Sequence, residues 1–269
     1  MGAVHVSIYT DPACPYSWAA EPAIRRLMVE FGDTLSITYV MGGLARQFKH
    51  PEATLGHWLD AAAVSGMPAD PRLWLEAPPR SSYPACLAVK AAAEQGLDAA
   101  YLRRAREGFA YERRSLDNAD GLIGLARTVP GLDVERFRVD LDSNAIVEAF
   151  GRDLDEARTV APELRGEHPR VSFPSGRFTG PDGAEHWAYD TFDPEAWAAA
   201  ARAAGAEPSD ARPSVLEALR RFGMMAAPEV AAVCGLPGPT APAELWSLAA
   251  RWQVQVERLP CGEVFKAAG

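Results

Sequence analysis

The amino-acid sequence predicts an α/β fold, and three observations predict it. Residues 4–9 alternate as a strand does, residues 21–31 carry Ile24, Leu27, Met28 and Phe31 at helical spacing, and residues 35–40 are rich in β-branched and aromatic side chains. Strand, helix and strand in succession form a βαβ unit, normally right-handed with parallel strands. Gly42-Gly43 then releases the chain.

From residue 45 to residue 167 the pattern turns helical. Leu55, Trp58, Leu59 and Ala62 form one stripe, and residues 84–96 read as a helix with proline in its first turn and glycine after its end. Segments near 98–111, 117–128, 133–139 and 143–158 follow, broken by Gly, Pro and Asn-Asp pairs. A strand is predicted at 171–178, and the turn signal Gly180-Pro181-Asp182-Gly183 folds 184–189 back beside it. Asp193-Pro194-Glu195 caps a helix reaching about residue 204. Two strands around a helix, then a hairpin and a helix, is the thioredoxin order. It carries here a large inserted helical block.

Residues 205–213 read as a linker. Beyond it, helices at 214–222, 227–236 and 240–252 precede a hairpin of 253–259 with 263–266, an arrangement that resembles a small winged-helix module. The expected domains are 1–44 with 168–205 (thioredoxin-like), 45–167 (inserted helices) and 206–269 (winged-helix-like).

A chain of 269 residues can bury a full core, and its net charge of -9 argues against nucleic acid or an anionic membrane as partner. In the tail, Arg212, Arg220, Arg221, Arg251, Arg258 and Lys266 are balanced by six carboxylates, so DNA binding is not expected there and a homodimer contact is. No signal peptide, myristoylation site or membrane span is read from the sequence, which predicts a cytoplasmic protein. The four cysteines, Cys14, Cys86, Cys234 and Cys261, form no C-x-x-C pair, and the five histidines show no zinc spacing with them. No metal site is expected.

The chemistry centres on Asp11-Pro12-Ala13-Cys14-Pro15-Tyr16-Ser17-Trp18, at the first strand-to-helix junction. Amide N–H groups and the helix dipole there favour a thiolate, so Cys14 is the candidate nucleophile with a lowered pKa. Ser17 occupies the position of a resolving thiol; its hydroxyl can stabilise the Cys14 thiolate but cannot close a disulfide. Phe173-Pro174 opens the third strand, where a cis-proline would face the cysteine. Pro15, Tyr16, Trp18 and Phe173 are candidate substrate contacts, and Trp58, Trp74 and Tyr83 could add to an apolar groove. Glu21, two turns along the same helix face, is a candidate proton relay, and Cys86 either resolves a Cys14 adduct or packs in the core.

These residues, with Ser82-Tyr83-Pro84-Ala85 and its alanine-rich helix, resemble the DsbA-like thioredoxin superfamily over roughly residues 4–205, in particular its FrnE-type and YjbH-type branches. The resemblance implies a thiol–disulfide oxidoreductase whose first cysteine is the nucleophile, here Cys14. The second cysteine is replaced by Ser17, which implies monothiol exchange. The expected co-substrate is glutathione, mycothiol or another low-molecular-weight thiol, none of them tightly bound. The expected partner is a small thiol or a disulfide-containing protein. The alternatives are a thiol-dependent isomerase or transferase, of the 2-hydroxychromene-2-carboxylate isomerase or kappa glutathione transferase type, and a non-catalytic YjbH-like adaptor.

Overall fold

The computed structural model describes residues 3–166 and 168–269; the sequence-based readings that fall on Met1, Gly2 and Glu167 lie outside the described residues. Strand β1 (Val4–Thr10) buries Val4, Val6 and Ile8, and pairs in parallel with β2 (Leu35–Met41) from Val4↔Leu35 to Thr10↔Met41. Between them run a short helix α1 (Pro15–Ala19) and then α2 (Glu21–Glu30). The sequence predicts a single helix after the motif. The two helices meet instead at Ala20, whose amide is drawn back to the Tyr16 carbonyl, with Pro22 supplying the fixed φ of the new first turn.

The helical block is built of α3 (Pro51–Ser65), α4 (Leu73–Glu76), α5 (Tyr83–Ala93), α6 (Asp98–Ala110), α7 (Ala119–Ala126), α8 (Val134–Leu141) and α9 (Asn144–Arg158). Asn118, Asp133 and Ser143 cap α7, α8 and α9 by accepting main-chain N–H bonds. The stripe expected on α3 is incomplete, because Trp58 is buried while Leu59 points to solvent. The block does not close on a core of its own. One apolar cluster runs from Val6, Ile24 and Leu27 through Trp58, Trp74, Val89 and Leu102 to Phe137 and Trp197.

The sheet is completed by β3 (Ser175–Thr179), antiparallel to β1, and β4 (Glu185–Ala188), in the order β2-β1-β3-β4; α10 (Pro194–Ala203) packs behind it. β3 begins four residues later than predicted. Val171 forms a bridge with Arg165 and donates to the Ala157 carbonyl, which holds this stretch beside α9 instead of β1.

Residues 206–213 carry no regular structure but are held in place, with Ser209 N and Arg212 both bonded to Glu30. The tail then forms α11 (Val215–Phe222), β5 (Met225–Ala226), α12 (Ala227–Cys234), α13 (Thr240–Ala250), β6 (Val254–Leu259) and β7 (Gly262–Ala267), with the sheet order β5-β7-β6. The two-residue strand β5 is an addition to the predicted helices and hairpin. Val215, Leu219, Val230, Leu245 and Phe265 form a separate small core, and α12 lies against α2.

That contact carries charge. Glu229 of α12 is wholly buried, accepts from Arg103 at 2.8 Å and forms an ion pair with Arg25 at 3.1 Å. Glu21 joins it by bonding Arg103 at 2.9 Å and pairing with Arg106, which in turn donates to Thr10 Oγ1 at 2.5 Å. Tail, α2, α6 and the end of β1 are thus tied through one ion network.

Candidate active site

Thr10 ends β1 and Asp11 opens the turn that carries the cysteine. Asp11 Oδ1 accepts from Ala13 N at 2.8 Å, and its carbonyl accepts from Cys14 N at 3.2 Å, a local turn that Asp and Asn favour. The other oxygen, Oδ2, accepts from Leu44 N at 2.5 Å, Ser82 Oγ at 2.8 Å and Cys86 Sγ at 3.2 Å. One buried carboxylate therefore joins the cysteine turn, the loop after β2 and the start of α5. Burial pushes the Asp11 pKa up, against the pull of the Leu44 and Ala13 amides and the Ser82 and Cys86 donors. The sequence names Asp11 only as part of the motif; its role as the hub depends on partners up to 75 positions away.

Cys14 sits at the wall of a cavity of about 700 Å³, which Pro15, Tyr16, Leu44, Arg170 and Phe173 also line. The residue is 3% exposed. Burial pushes its thiol above the ordinary value, the Ser17 hydroxyl and amide act the other way, Asp11 adds to the rise and the Arg170 charge opposes it. This corrects the expectation of a lowered pKa. Helix α1 has one turn only, too little dipole to outweigh desolvation and the neighbouring Asp11.

Ser17 Oγ is fully buried beside that sulfur and, among the described residues, has no hydrogen-bond partner of good geometry. A hydroxyl left unpaired while the thiol is neutral gains a strong acceptor when the thiol ionises. The Phe173–Pro174 peptide bond is cis, and the Pro174 carbonyl accepts from Thr191 N at 3.2 Å. Among the described residues the Phe173 main-chain N–H and C=O are engaged by no protein partner. A methyl group on Gly42 would overlap the Phe173 ring, so the first glycine after β2 allows that ring its place.

Several residues weighed for the site belong to the core or to the ion network. Trp18 is 1% exposed, donates to the Pro68 carbonyl at 2.9 Å and stacks beneath the Arg103 guanidinium. It is a core residue, as are Trp58 and Trp74, while Tyr83 packs edge-on against Phe150. Glu21 is turned into the ion network, because the break at Ala20 interrupts the helix face it was expected to share with Cys14. Burial alone would raise its pKa, but Arg103, Arg106 and Arg25 bring it down to about 2, so it holds no proton to relay. Cys86 is wholly buried on Asp11, with burial and that carboxylate pushing its thiol well above the ordinary range. Its thiol hydrogen is engaged by that carboxylate, which agrees with the packing alternative of the two read from the sequence. Arg170 is the residue that sequence reasoning missed; a cation four positions before Pro174 was the available signal. Among the described residues no group of three or more His, Cys, Asp or Glu side chains is placed to hold a metal ion, and no helix is long and apolar enough to cross a membrane.

The ClpXP adapter protein SpxH of Halalkalibacterium halodurans is 35% identical over 173 residues, covering 59% of this chain and 56% of that protein. The chain thus spans about half the length of the curated relatives it matches. Among solved structures, the cytosolic disulfide reductase DsbM of Pseudomonas aeruginosa with GSH superposes with a TM-score of 0.57 at 20% identity, over 72% of this chain and 96% of that one. A probable DsbA oxidoreductase from Streptomyces coelicolor gives 0.56 at 18% identity, over 87% of this chain and 100% of that one. These likenesses agree with the DsbA-like form of the fold, helical block included. The family model Thioredoxin_5, described as thioredoxin, matches residues 8–163, and the chain belongs to that thioredoxin family.

Proposed function

We propose that this protein carries out thiol–disulfide exchange with Cys14 as its single nucleophile and a low-molecular-weight thiol, such as glutathione or mycothiol, as co-substrate. The observation that carries this reading is the pairing of Cys14 with the unpartnered Ser17 hydroxyl at the wall of a cavity large enough for such a molecule. In the first step the Cys14 thiolate attacks one sulfur of a disulfide. A Cys14–sulfur bond forms, the disulfide bond breaks, and the other sulfur leaves as a thiolate. In the second step the thiolate of the small thiol attacks the adduct's substrate-derived sulfur, frees Cys14 and leaves a new mixed disulfide. Each step exchanges one sulfur–sulfur bond for another and needs no further oxidant.

Ser17 stabilises the thiolate that enters the first step and leaves the second. The free Phe173 peptide group offers a donor and an acceptor to an extended substrate, with Tyr16 and Pro15 lining its path. The protein works in the cytoplasm, where the description of DsbM places that relative and where single thiols stay reduced.

The test is turnover of hydroxyethyl disulfide by glutathione. Wild-type protein accelerates it and Cys14→Ser abolishes the acceleration. A wild-type rate equal to that of glutathione alone removes the reading.

A second reading is supported by the similarity to SpxH, described as an adapter of ClpXP, and by the low exposure of Cys14. In that case the cavity face binds a protein without turnover, and Cys14→Ser retains the partner. Pull-down with the two forms separates the readings.

A further inference from the structure

Arg170 is a buried arginine on the cavity wall, and among the described residues it has no carboxylate at ion-pair distance. The residue is 8% exposed, its Nη1 donates to the Val171 carbonyl at 2.9 Å, and its guanidinium stands 3.9 Å above the Phe173 ring. Buried Arg25 and Arg106 rest on Glu229 and Glu21, but among the described residues no carboxylate forms an ion pair with Arg170. Holding a charge out of water unpaired is costly, and a guanidinium beside a cavity presents a rigid fork of donors suited to a carboxylate.

The cavity wall carries further nitrogen-bearing side chains. Lys49, His50, His57 and His168 line this cavity, and Asp190 is the one acidic side chain on its wall among the described residues, in a chain of net charge -9.

We propose, building on the exchange reading above, that Arg170 selects the co-substrate by charge: it takes a carboxylate of an anionic thiol or disulfide of the glutathione type, in preference to an uncharged sugar thiol, and so presents the ligand's sulfur to Cys14. The bonds made and broken remain those of sulfur exchange. Arg170 transfers no proton and supplies hydrogen bonds to the carboxylate.

The experiment compares three disulfides on the full chain: oxidised glutathione (anionic), hydroxyethyl disulfide (neutral) and cystamine (cationic). Rates of mixed-disulfide formation at Cys14 are read by intact mass at low and high salt. The expected order is anionic, neutral, cationic, with the spread narrowing in salt. In Arg170→Gln the anionic-to-neutral rate ratio falls about tenfold or more, the scale of a charged hydrogen bond, and Arg170→Lys restores part of it. A wild-type protein without charge preference overturns the proposal. So does an equal fall for the anionic and neutral disulfides, which would mean that Arg170 acts on the Cys14 thiolate and not on the ligand. S-methylglutathione, which has no reactive sulfur, separates this proposal from the exchange reading. It raises the Tm of Cys14→Ser, and adding Arg170→Gln removes the rise. If that rise is seen while no disulfide reacts, the carboxylate site stands and exchange fails. If exchange proceeds with no such rise, the proposal fails.

Discussion

Cys86 donates its thiol hydrogen to Asp11 Oδ2 across 3.2 Å, with both residues closed off from solvent. The second thiol near the motif is therefore part of the scaffold under Cys14, and its hydrogen is committed to the carboxylate that holds the cysteine turn.

Cys86→Ser keeps a donor at this position and is expected to leave both stability and Cys14 exchange close to wild type. Cys86→Ala removes one of four donors from a buried carboxylate and costs about 1–3 kcal/mol. Urea unfolding of the two variants checks this. Loss of exchange in Cys86→Ser would instead make Cys86 a redox partner.

Ser17→Ala removes the donor that the thiolate gains. Alkylation of Cys14 at neutral pH slows roughly tenfold, and the rise of its rate with pH moves to more alkaline values. Ser17→Cys, by contrast, supplies a thiol beside Cys14 and is expected to close a disulfide. Iodoacetamide kinetics against pH and the intact mass of the oxidised variant provide the two readouts.

How much of this was legible in the sequence depends on the range of the interactions concerned. Helices α7 to α9 announce themselves through local signals: caps at Asn118, Asp133 and Ser143 and apolar residues at helical spacing. The β3–β4 hairpin follows from a four-residue turn signal. Trp18 and Glu21 were misplaced because their partners, Pro68, Arg103 and Arg106, come from segments that only the fold brings alongside. The delayed start of β3 has the same origin, in the hold of Ala157 and Arg165 on Val171. The direction of the Cys14 pKa was missed because motif reasoning counts the helix terminus and has no measure of burial.

Glu229→Gln is expected to cost about 3–5 kcal/mol, because Arg25 and Arg103 stay buried with less compensation. The tail core and the main core should also lose their shared transition. Chemical denaturation followed by a probe in each part would show it. An unchanged midpoint would mean that the tail docks by apolar contact alone.

The acid limb of stability reads the same network. The folded-state pKa of Glu21, about 2, lies below the unfolded value of about 4.5, so its contribution is complete above that value and is lost as pH falls toward 2. The amount is about 3 kcal/mol. Asp11 and Asp153, raised by burial, favour the folded state at low pH and so oppose this loss. Comparison with Glu21→Gln isolates the Glu21 share: the variant is less stable near neutrality and its stability declines less between about pH 5 and pH 2. Parallel pH profiles would contradict the assignment.

The central claim is that Cys14 is the nucleophile and that its second thiol comes from another molecule. Intact mass after treatment with excess hydroxyethyl disulfide tests it most directly. The account predicts an adduct mapped to Cys14, absent in Cys14→Ser and fully released by glutathione. An unmodified Cys14, or an intramolecular disulfide between Cys14 and Cys86, would contradict it.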